Sequence, residues 1–353
     1  MPRSPLTLAI LVLFATTVPR TGTSAQSFTS VEVAAIDRLC RATAAHPPSP
    51  LAIEIATTAT REHQGFGGHA IDRDGRMLRF GAVESEAFRD EAAGRGVPWR
   101  QVLRFWETLG PIDGSPLQLR RFPGLSENAN AGGPGNTVPL ADLLDRLKRA
   151  NLPAPEREAL EQAAIRSAIV DVPWSAAFVS HVVLTAGAAR ARFSAAIAHV
   201  DYVGEAARRS RDEAAGQPSV AFYRACDPRR TPMRPGDLLC MHRHATSEID
   251  ALQLAGGAFA GLTAALARGE RPVWNLHCDI VTGQDPRART ATIIGGNVLQ
   301  SVTRRDLRTN RRGALARVRS APACLDKAEP GPLCRPESAP WFVLLQTTDD
   351  AAP

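Results

Sequence analysis

The chain has 353 residues, of which 44% are hydrophobic and 22% charged, and this balance excludes an intrinsically disordered protein. Its formal net charge is +6, but the sequence contains no nucleic-acid-binding motif, and we expect no nucleic acid as a partner. The length allows one large domain or two small ones.

The first 25 residues have the pattern of a secretory signal peptide. Arg3 precedes an apolar run from Leu6 to Val18, and the small residues Thr23-Ser24-Ala25 predict cleavage after Ala25. The apolar run is too short for a transmembrane helix. We therefore expect an exported protein, periplasmic or secreted, with no transmembrane segment after cleavage.

Residues 26–139 are predicted to form an N-terminal helical region. The spacing of apolar residues indicates three helices, over 28–45, from about 51 to 63 and around 99–106. The sequence Asp72-Arg73-Asp74-Gly75 predicts a turn between two short strands. Residues 113–139 are dense in Gly, Pro, Asn and Ser, which is typical of a flexible loop, and this loop is the predicted boundary with a core domain at 140–347.

The core domain is predicted to begin with helices and to end with strands. Helices are expected over 140–150, 156–170 and 171–187, in an Ala-rich run to 209, and in an Ala/Gly-rich insert over 248–268. Strands are expected over 238–241, 277–282, 290–294 and 341–345. Helices followed by a small antiparallel sheet predict an α+β fold.

One helix of the core domain carries a candidate nucleophile. Asp171 fits the N-cap, Pro173 fits the first turn, and Gly187 marks the end of the helix. Ser175 then lies in the first turn, at the positive end of the helix dipole, where an anion is stabilised. The same pattern is also expected of a buried amphipathic helix in which Ser175 is only a small packing residue.

The sequence around Ser175 resembles that of a known group of hydrolases. Papain-like amidases and peptidases of the NlpC and CHAP type begin their core helix with Trp-Cys-Ala-Ala-Phe-Val or a close relative, and the run here is Trp174-Ser175-Ala176-Ala177-Phe178-Val179. The longer run Pro-Trp-Ser-Ala-Ala-Phe is similar to the bacterial family called domain of unknown function 2272 (DUF2272). Other marks of that family occur in the same order at 198–202, 234–240, 277–281 and 295–298.

This resemblance implies a papain-like core of the NlpC/CHAP type and a catalytic set of Ser175, His277 and Asn297. In those enzymes a His that opens a later strand takes the proton of the nucleophile, and a polar residue on the next strand orients that His. Asp279 shares a strand face with His277 and is its reserve partner. The candidates for lining the cleft are Trp174, His199, Asp201, Tyr202, Asp237 and Asp279.

Serine in place of the superfamily's cysteine leaves two functions open. A helix dipole contributes only ~0.3–1 kcal/mol and does not ionise a hydroxyl, so Ser175 needs a base and an oxyanion hole. By resemblance, the chain is expected to be an exported hydrolase that cleaves amide bonds in cell-wall peptide. The alternative is a catalytically inactive papain-like domain that binds peptidoglycan, another cell-envelope polymer or a ligand.

The spacing of Cys and His residues does not fit a zinc site, and we expect no metal and no cofactor.

All six cysteines follow the predicted cleavage site. An even number of cysteines in an exported protein indicates disulfides. Cys324 and Cys334 bracket a Pro/Gly-rich loop and form the predicted disulfide. Cys278 is expected to face away from His277, beside Cys240, either as a disulfide or as a pair of buried thiols. The sequence leaves open the pairing of Cys40, Cys226, Cys240 and Cys278.

Overall fold

The computed structural model describes nine stretches of the chain: 27–86, 97–110, 120–121, 137–138, 140–170, 172–243, 247–270, 275–317 and 336–348. The predicted signal peptide, the predicted Cys324–Cys334 disulfide, Asp171 and most of the predicted loop at 113–139 lie outside the described residues. The helix predicted over 171–187 begins at Ser175 with Trp174 as its N-cap, so neither Asp171 nor Pro173 has the position predicted for it.

Eight α-helices lie in the described residues. They are α1 (Ser30–Ala44), α2 (Pro50–Gly65), α3 (Pro98–Leu109), α4 (Leu140–Arg149), α5 (Ala154–Val170), α6 (Ser175–Thr185), α7 (His199–Ala214) and α8 (Ser247–Ala267), the last kinked at Gly257. Thr29 and Glu32 form a capping box at the start of α1, and Ser49 caps α2 through the amide of Ala52. Local sequence signals therefore set the beginnings of both helices.

The strands form one eight-stranded sheet and one separate pair. They are β1 (His69–Ile71), β2 (Met77–Arg79), β3 (Arg120–Arg121), β4 (Thr137–Val138), β5 (Tyr223–Cys226), β6 (Leu238–His242), β7 (Leu276–Asp285), β8 (Thr290–Val298), β9 (Ser301–Arg308) and β10 (Trp341–Thr347). The order in the large sheet is β2-β1-β9-β8-β7-β6-β10-β5, and β3 pairs with β4. Only β1 and β9 pair in parallel among the described strands. The fold is α+β.

Residues of the predicted N-terminal region share the sheet and the core with the residues that follow. Strand β1 pairs with β9, with His69 opposite Thr303. A disulfide between Cys40 and Cys226 joins α1 to β5. The ring of Phe105 on α3 lies 5.6 Å from the ring of Trp174, which precedes α6. The two predicted parts of the chain are therefore held together by a sheet pairing, a covalent bond and aromatic packing.

Helix α6 runs through the core. Its residues from Ser175 to Val183 are all buried, and it contacts α2, α3, β7 and β8. Among the described helices, none is by itself long and apolar enough to cross a membrane, and α5 and α6 reach that criterion only as a bent pair.

Several elements differ from the sequence prediction. The Ala-rich run does not continue as a helix after Gly187, and α7 begins only at His199. Ser180 explains this difference, because its hydroxyl donates to the carbonyl oxygen of Ala196 and accepts from the amide of the same residue, which holds that segment outside a helix. Strand β5, strand β9 and the short pair of β3 and β4 were not predicted; in β9, the charged residues at 304–306 interrupt the apolar alternation that indicates a strand.

Candidate functional site

The hydroxyl of Ser175 lies in the first turn of α6 and hydrogen-bonds to His199. The distance from Ser175 Oγ to His199 Nε2 is 2.7 Å. Each of the two residues is the first of its helix, so the N-termini of α6 and α7 meet at this contact. Both residues are buried, with 5% and 4% of their surface exposed. This is the contact that a nucleophile and its general base require.

The N-terminus of α6 offers hydrogen-bond donors beside Ser175. The amide of Phe178 bonds to the carbonyl oxygen of Trp174 at 2.9 Å, and no side chain caps the helix. The amides of residues 175–177 therefore have no partner within the helix. Such N–H groups can bind a negatively charged oxygen, as an oxyanion hole does.

The second ring nitrogen of His199, Nδ1, hydrogen-bonds to the hydroxyl of Tyr202, one turn along α7. A tyrosine hydroxyl both donates and accepts, so it accommodates either tautomer of the ring, whereas a carboxylate would fix one. Burial lowers the pKa of His199 well below its usual range, and the charges of His277 and Arg243 lower it further, against a smaller opposing effect of Asp279. His199 is therefore neutral at pH 7 and able to accept a proton.

The ring of His277 has both nitrogens engaged by other residues. Nη2 of Arg243 donates to Nδ1 of His277 at 2.9 Å, and Nε2 lies 2.7 Å from Oδ1 of Asp279. Because a guanidinium only donates, Nδ1 is the acceptor, and neutral His277 carries its proton on Nε2, towards Asp279. The expectation that His277 pairs with Ser175 thus needs correction: the histidine bonded to Ser175 is His199. The rings of the two histidines meet edge to face, with centroids 5.4 Å apart.

Asp279 is a buried carboxylate that stays ionised. Burial raises its pKa, but the charges of Arg305 and His277 together outweigh burial and bring the pKa down to about 2. Nε of Arg305 donates to Oδ2 of Asp279 at 3.0 Å. A side chain at Gly295 would overlap Oδ1 of Asp279 and approach Nε2 of His277 at 3.1 Å, so glycine is required there. The reserve partner expected for His277 is thus the one that contacts it.

Asn297 occupies a different place from the one expected. Its Nδ2 donates to Oε2 of Glu84 at 2.9 Å, and the indole Nε1 of Trp174 donates to the same oxygen. Within the described residues, the amide of Asn297 therefore holds Glu84 and does not orient His277, whose ring nitrogens are taken by Arg243 and Asp279. Through Glu84, Asn297 is linked to the residue that directly precedes Ser175.

The other candidates for lining a cleft are divided between the core and a separate surface. Trp174 and Tyr202 are fully buried core residues. Asp237 is also buried and accepts from the amides of Arg234 at 2.9 Å and Thr347 at 3.0 Å, while burial raises its pKa to about 7. Asp201 lines a cavity of about 520 Å³ together with Glu205 and Arg208, between α7 and the end of α8. None of these contacts involves Ser175.

Three residues of the site were not predicted from the sequence. Glu84, Arg243 and Arg305 all lie outside the motifs quoted above. For His199 a signal was present, because a His followed three residues later by a Tyr places two polar side chains on one helix face.

Two disulfides lie in the described residues, Cys40–Cys226 and Cys240–Cys278. Cys240 and Cys278 are directly opposite each other on β6 and β7, so the chain around His277 and Asp279 is fixed covalently to the neighbouring strand. Disulfides indicate an oxidising compartment. No group of three Cys, His, Asp or Glu residues suited to a metal ion occurs in the part of the chain that the structure describes.

Comparison with known proteins gives one match. The model of the family described as "Uncharacterized protein conserved in bacteria (DUF2272)" matches residues 152–347, more than half of the chain. No curated protein and no solved structure matches the chain.

Proposed function

The chain belongs to the DUF2272 family, and we propose that it is an exported hydrolase of amide bonds with Ser175 as the nucleophile and His199 as the base. The observation that carries this proposal is the 2.7 Å hydrogen bond between Ser175 Oγ and His199 Nε2 at the N-terminus of α6. Cell-wall peptide is the proposed substrate, and it is suggested only by the likeness of residues 174–179 to papain-like NlpC and CHAP enzymes.

The chemistry follows from the positions of three groups. Ser175 Oγ attacks the carbonyl carbon of the amide while its proton moves to Nε2 of His199. The amides of residues 175–177 stabilise the negative oxygen of the tetrahedral intermediate. The C–N bond then breaks, and His199 returns the proton to the leaving amine. A water molecule then attacks the acyl-serine carbon while His199 takes its proton; the bond from that carbon to Ser175 Oγ breaks, His199 returns the proton to Oγ, and the carboxylic acid is released.

The buried charges behind His199 have a defined role in this scheme. When His199 takes up the proton it becomes a cation; burial, His277 and Arg243 oppose that cation, and the ionised carboxylate of Asp279 offsets part of their effect. Arg305 and His277 hold Asp279 in place by direct contact. Asp279 is therefore a positioning residue that acts on His199 through His277, and it does not touch the substrate.

A second function is favoured by the burial of the pair. Only 5% of Ser175 and 4% of His199 are exposed, and a hydroxyl rather than a carboxylate bonds to the second nitrogen of the base. These features suit a catalytically inactive domain in which the Ser175–His199 bond stabilises the junction of two helices, and which binds a cell-envelope polymer elsewhere on its surface.

Labelling with a fluorophosphonate separates the two functions. The probe reacts with a serine activated by a base, and we expect it to modify Ser175 in the purified protein and not in Ser175→Ala. Ser210→Ala is the matched control, because Ser210 is also buried and makes one hydrogen bond, to the carbonyl oxygen of Ala225 at 2.8 Å. If wild type and Ser175→Ala label equally, Ser175 is not a nucleophile and the binding function takes its place.

A cysteine at position 175 identifies the base. A helix N-terminus and a neighbouring histidine lower the pKa of a thiol to ~4–7, against about 8.5 for a free cysteine. We expect iodoacetamide to label Ser175→Cys rapidly below pH 8, and His199→Ala in that background to slow the labelling more than His277→Ala does. The reverse order would restore His277 as the base.

The proposal that cell-wall peptide is the substrate is tested directly by incubating the protein with purified peptidoglycan and measuring newly released amino groups. Release by wild type and not by Ser175→Ala supports this substrate. If fluorophosphonate labels Ser175 but no amino groups are released, the proposal of a hydrolase stands and peptidoglycan is not its substrate.

A further inference from the structure

A cavity of about 690 Å³ lies away from Ser175, where α2 and the turn after it face strands β7, β8 and β9. Among the described residues, its charged lining side chains are those of Arg79 and Arg304, and no Asp or Glu lines it. We call it the arginine cavity. Because α2 and β2 precede the segment matched by the family and β7–β9 lie within it, both parts of the chain build this cavity.

Arg79 is placed in the arginine cavity by the glycine turn beneath it. Gly67 and Gly68 both have φ values near +80°, a conformation that glycine adopts without strain. A Cβ added at Gly68 would come within 3.5 Å of the Arg79 side chain, so the arginine stem packs directly on the turn. No carboxylate of the described residues pairs with Arg79. Its positive charge is therefore not neutralised within this part of the protein.

Arg304 reaches the same cavity from β9. It pairs with Asp306 at 3.0 Å on its own strand, whereas the next residue, Arg305, points to the other face of the strand and binds Asp279. Strand β9 therefore separates a ligand in the arginine cavity from the Ser175 site.

The other described lining residues are uncharged. Gln64 brings an amide group to the wall, whereas the hydroxyls of the three threonines already donate within the protein, Thr60 to Ala56, Thr282 to Thr292 and Thr292 to Asp306. His63 is neutral at pH 7, because burial lowers its pKa and the charges of Arg304 and Arg79 lower it further, against the effect of its bond to His69. The unpaired positive charge of the described wall therefore comes from Arg79, because Arg304 is paired with Asp306.

We propose that the arginine cavity binds a small ligand through an oxyanion group, a carboxylate or a phosphate. A guanidinium presents parallel N–H donors that match either group, and the volume is in the range of small-molecule sites. The proposal is independent of the function of Ser175.

Isothermal titration of the purified protein with inorganic phosphate and with malonate, in low salt, tests this proposal. We expect saturable binding of at least one of the two anions, and tighter binding of phosphate or of malonate distinguishes a phosphate-bearing ligand from a carboxylate-bearing one. Arg79→Gln should weaken the binding about tenfold or more, since a hydrogen bond to a charged group contributes ~1.5–3 kcal/mol. Arg79→Lys keeps the charge but loses the paired donors, so its affinity for the anion should lie between that of wild type and that of Arg79→Gln.

Arg76→Gln is the matched control. Arg76 is exposed, lies three residues before Arg79 and does not line the cavity, so its replacement makes the same change in net charge. We expect Arg76→Gln to change the dissociation constant of the anion less than twofold. Equal weakening by Arg76→Gln and Arg79→Gln would show nonspecific attraction to a basic surface, and absence of saturable binding of both anions would likewise overturn the proposal.

Discussion

At the scale of single residues, serine instead of cysteine at position 175 requires a different protonation state of its histidine partner. A cysteine nucleophile works as a thiolate beside a protonated histidine, whereas a hydroxyl loses its proton only as it attacks and needs a neutral base. Burial keeps His199 neutral, and its Nε2 is already bonded to the hydroxyl. The Ser175–His199 pair is thus consistent with serine chemistry.

The lowered pKa of His199 gives a prediction for the pH dependence of labelling. A histidine with an ordinary pKa of about 6.5 loses about fourfold in its neutral fraction between pH 7.5 and pH 6.0. His199 titrates well below that range, so it stays neutral and the rate of fluorophosphonate labelling of Ser175 should change less than twofold. The measurement is the initial labelling rate at four pH values, and a fourfold fall would show that the base titrates normally.

At the scale of elements, the end of β8 controls how closely the sheet approaches α6. A Cβ at Gly295 would overlap the carboxylate of Asp279, and a Cβ at Gly296 would lie 2.5 Å from Cβ of Phe178 and 2.8 Å from Cζ3 of Trp174. The two glycines therefore bring the strand against the histidine–aspartate pair and against the residues on both sides of Ser175.

Gly296→Ala should displace the start of α6. We expect a loss of ~1–3 kcal/mol in the free energy of unfolding, as for overpacking of a core, together with slower labelling of Ser175. Gly283→Ala on β7 is the control, because a Cβ there would meet nothing within 4 Å. Denaturant unfolding of both variants checks this, and equal stabilities would mean that the contact at Gly296 relaxes without cost.

The sequence predicted local elements better than the partners of their side chains. The turn at 72–75, α6, β7, β8 and β10 follow from spacing and turn residues, and the structure confirms them. The histidine that contacts Ser175 was not the one predicted, because whether a helix residue such as His199 or a strand residue such as His277 reaches Ser175 depends on how helices and sheet pack. Likewise, Arg305 pairs with a carboxylate 26 residues away in the chain, which no local pattern reveals.

At the scale of the whole molecule, the predicted export is consistent with the two disulfides in the described residues. We expect cleavage after Ala25, so that mass spectrometry of protein from the periplasm finds Gln26 as the first residue. In a strain that expresses Arg3→Glu, which reverses the charge before the apolar run, export should decrease. Protein that keeps Met1 in the periplasm would contradict the prediction.

The residues before the family segment are also expected to be necessary for folding. Removing residues 26–139 would take away the partner of Cys226, the β1 neighbour of β9 and the carboxylate of Glu84 that binds Trp174 and Asn297. It would also uncover the face of Trp174 and Phe178 that packs on Phe105.

A chain shortened to residues 140–353 should therefore lack a cooperative unfolding transition and should bind a hydrophobic dye, whereas residues 26–353 should unfold in one transition. The comparison is made by thermal unfolding followed by circular dichroism. Because loss of the Cys40–Cys226 bond alone would cost ~2–4 kcal/mol, a Cys40→Ala/Cys226→Ala variant of the longer chain is the control for that bond. If the shortened chain unfolds as cooperatively as this control, residues 140–347 are an independent domain, as the sequence predicted, and the N-terminal region only covers it.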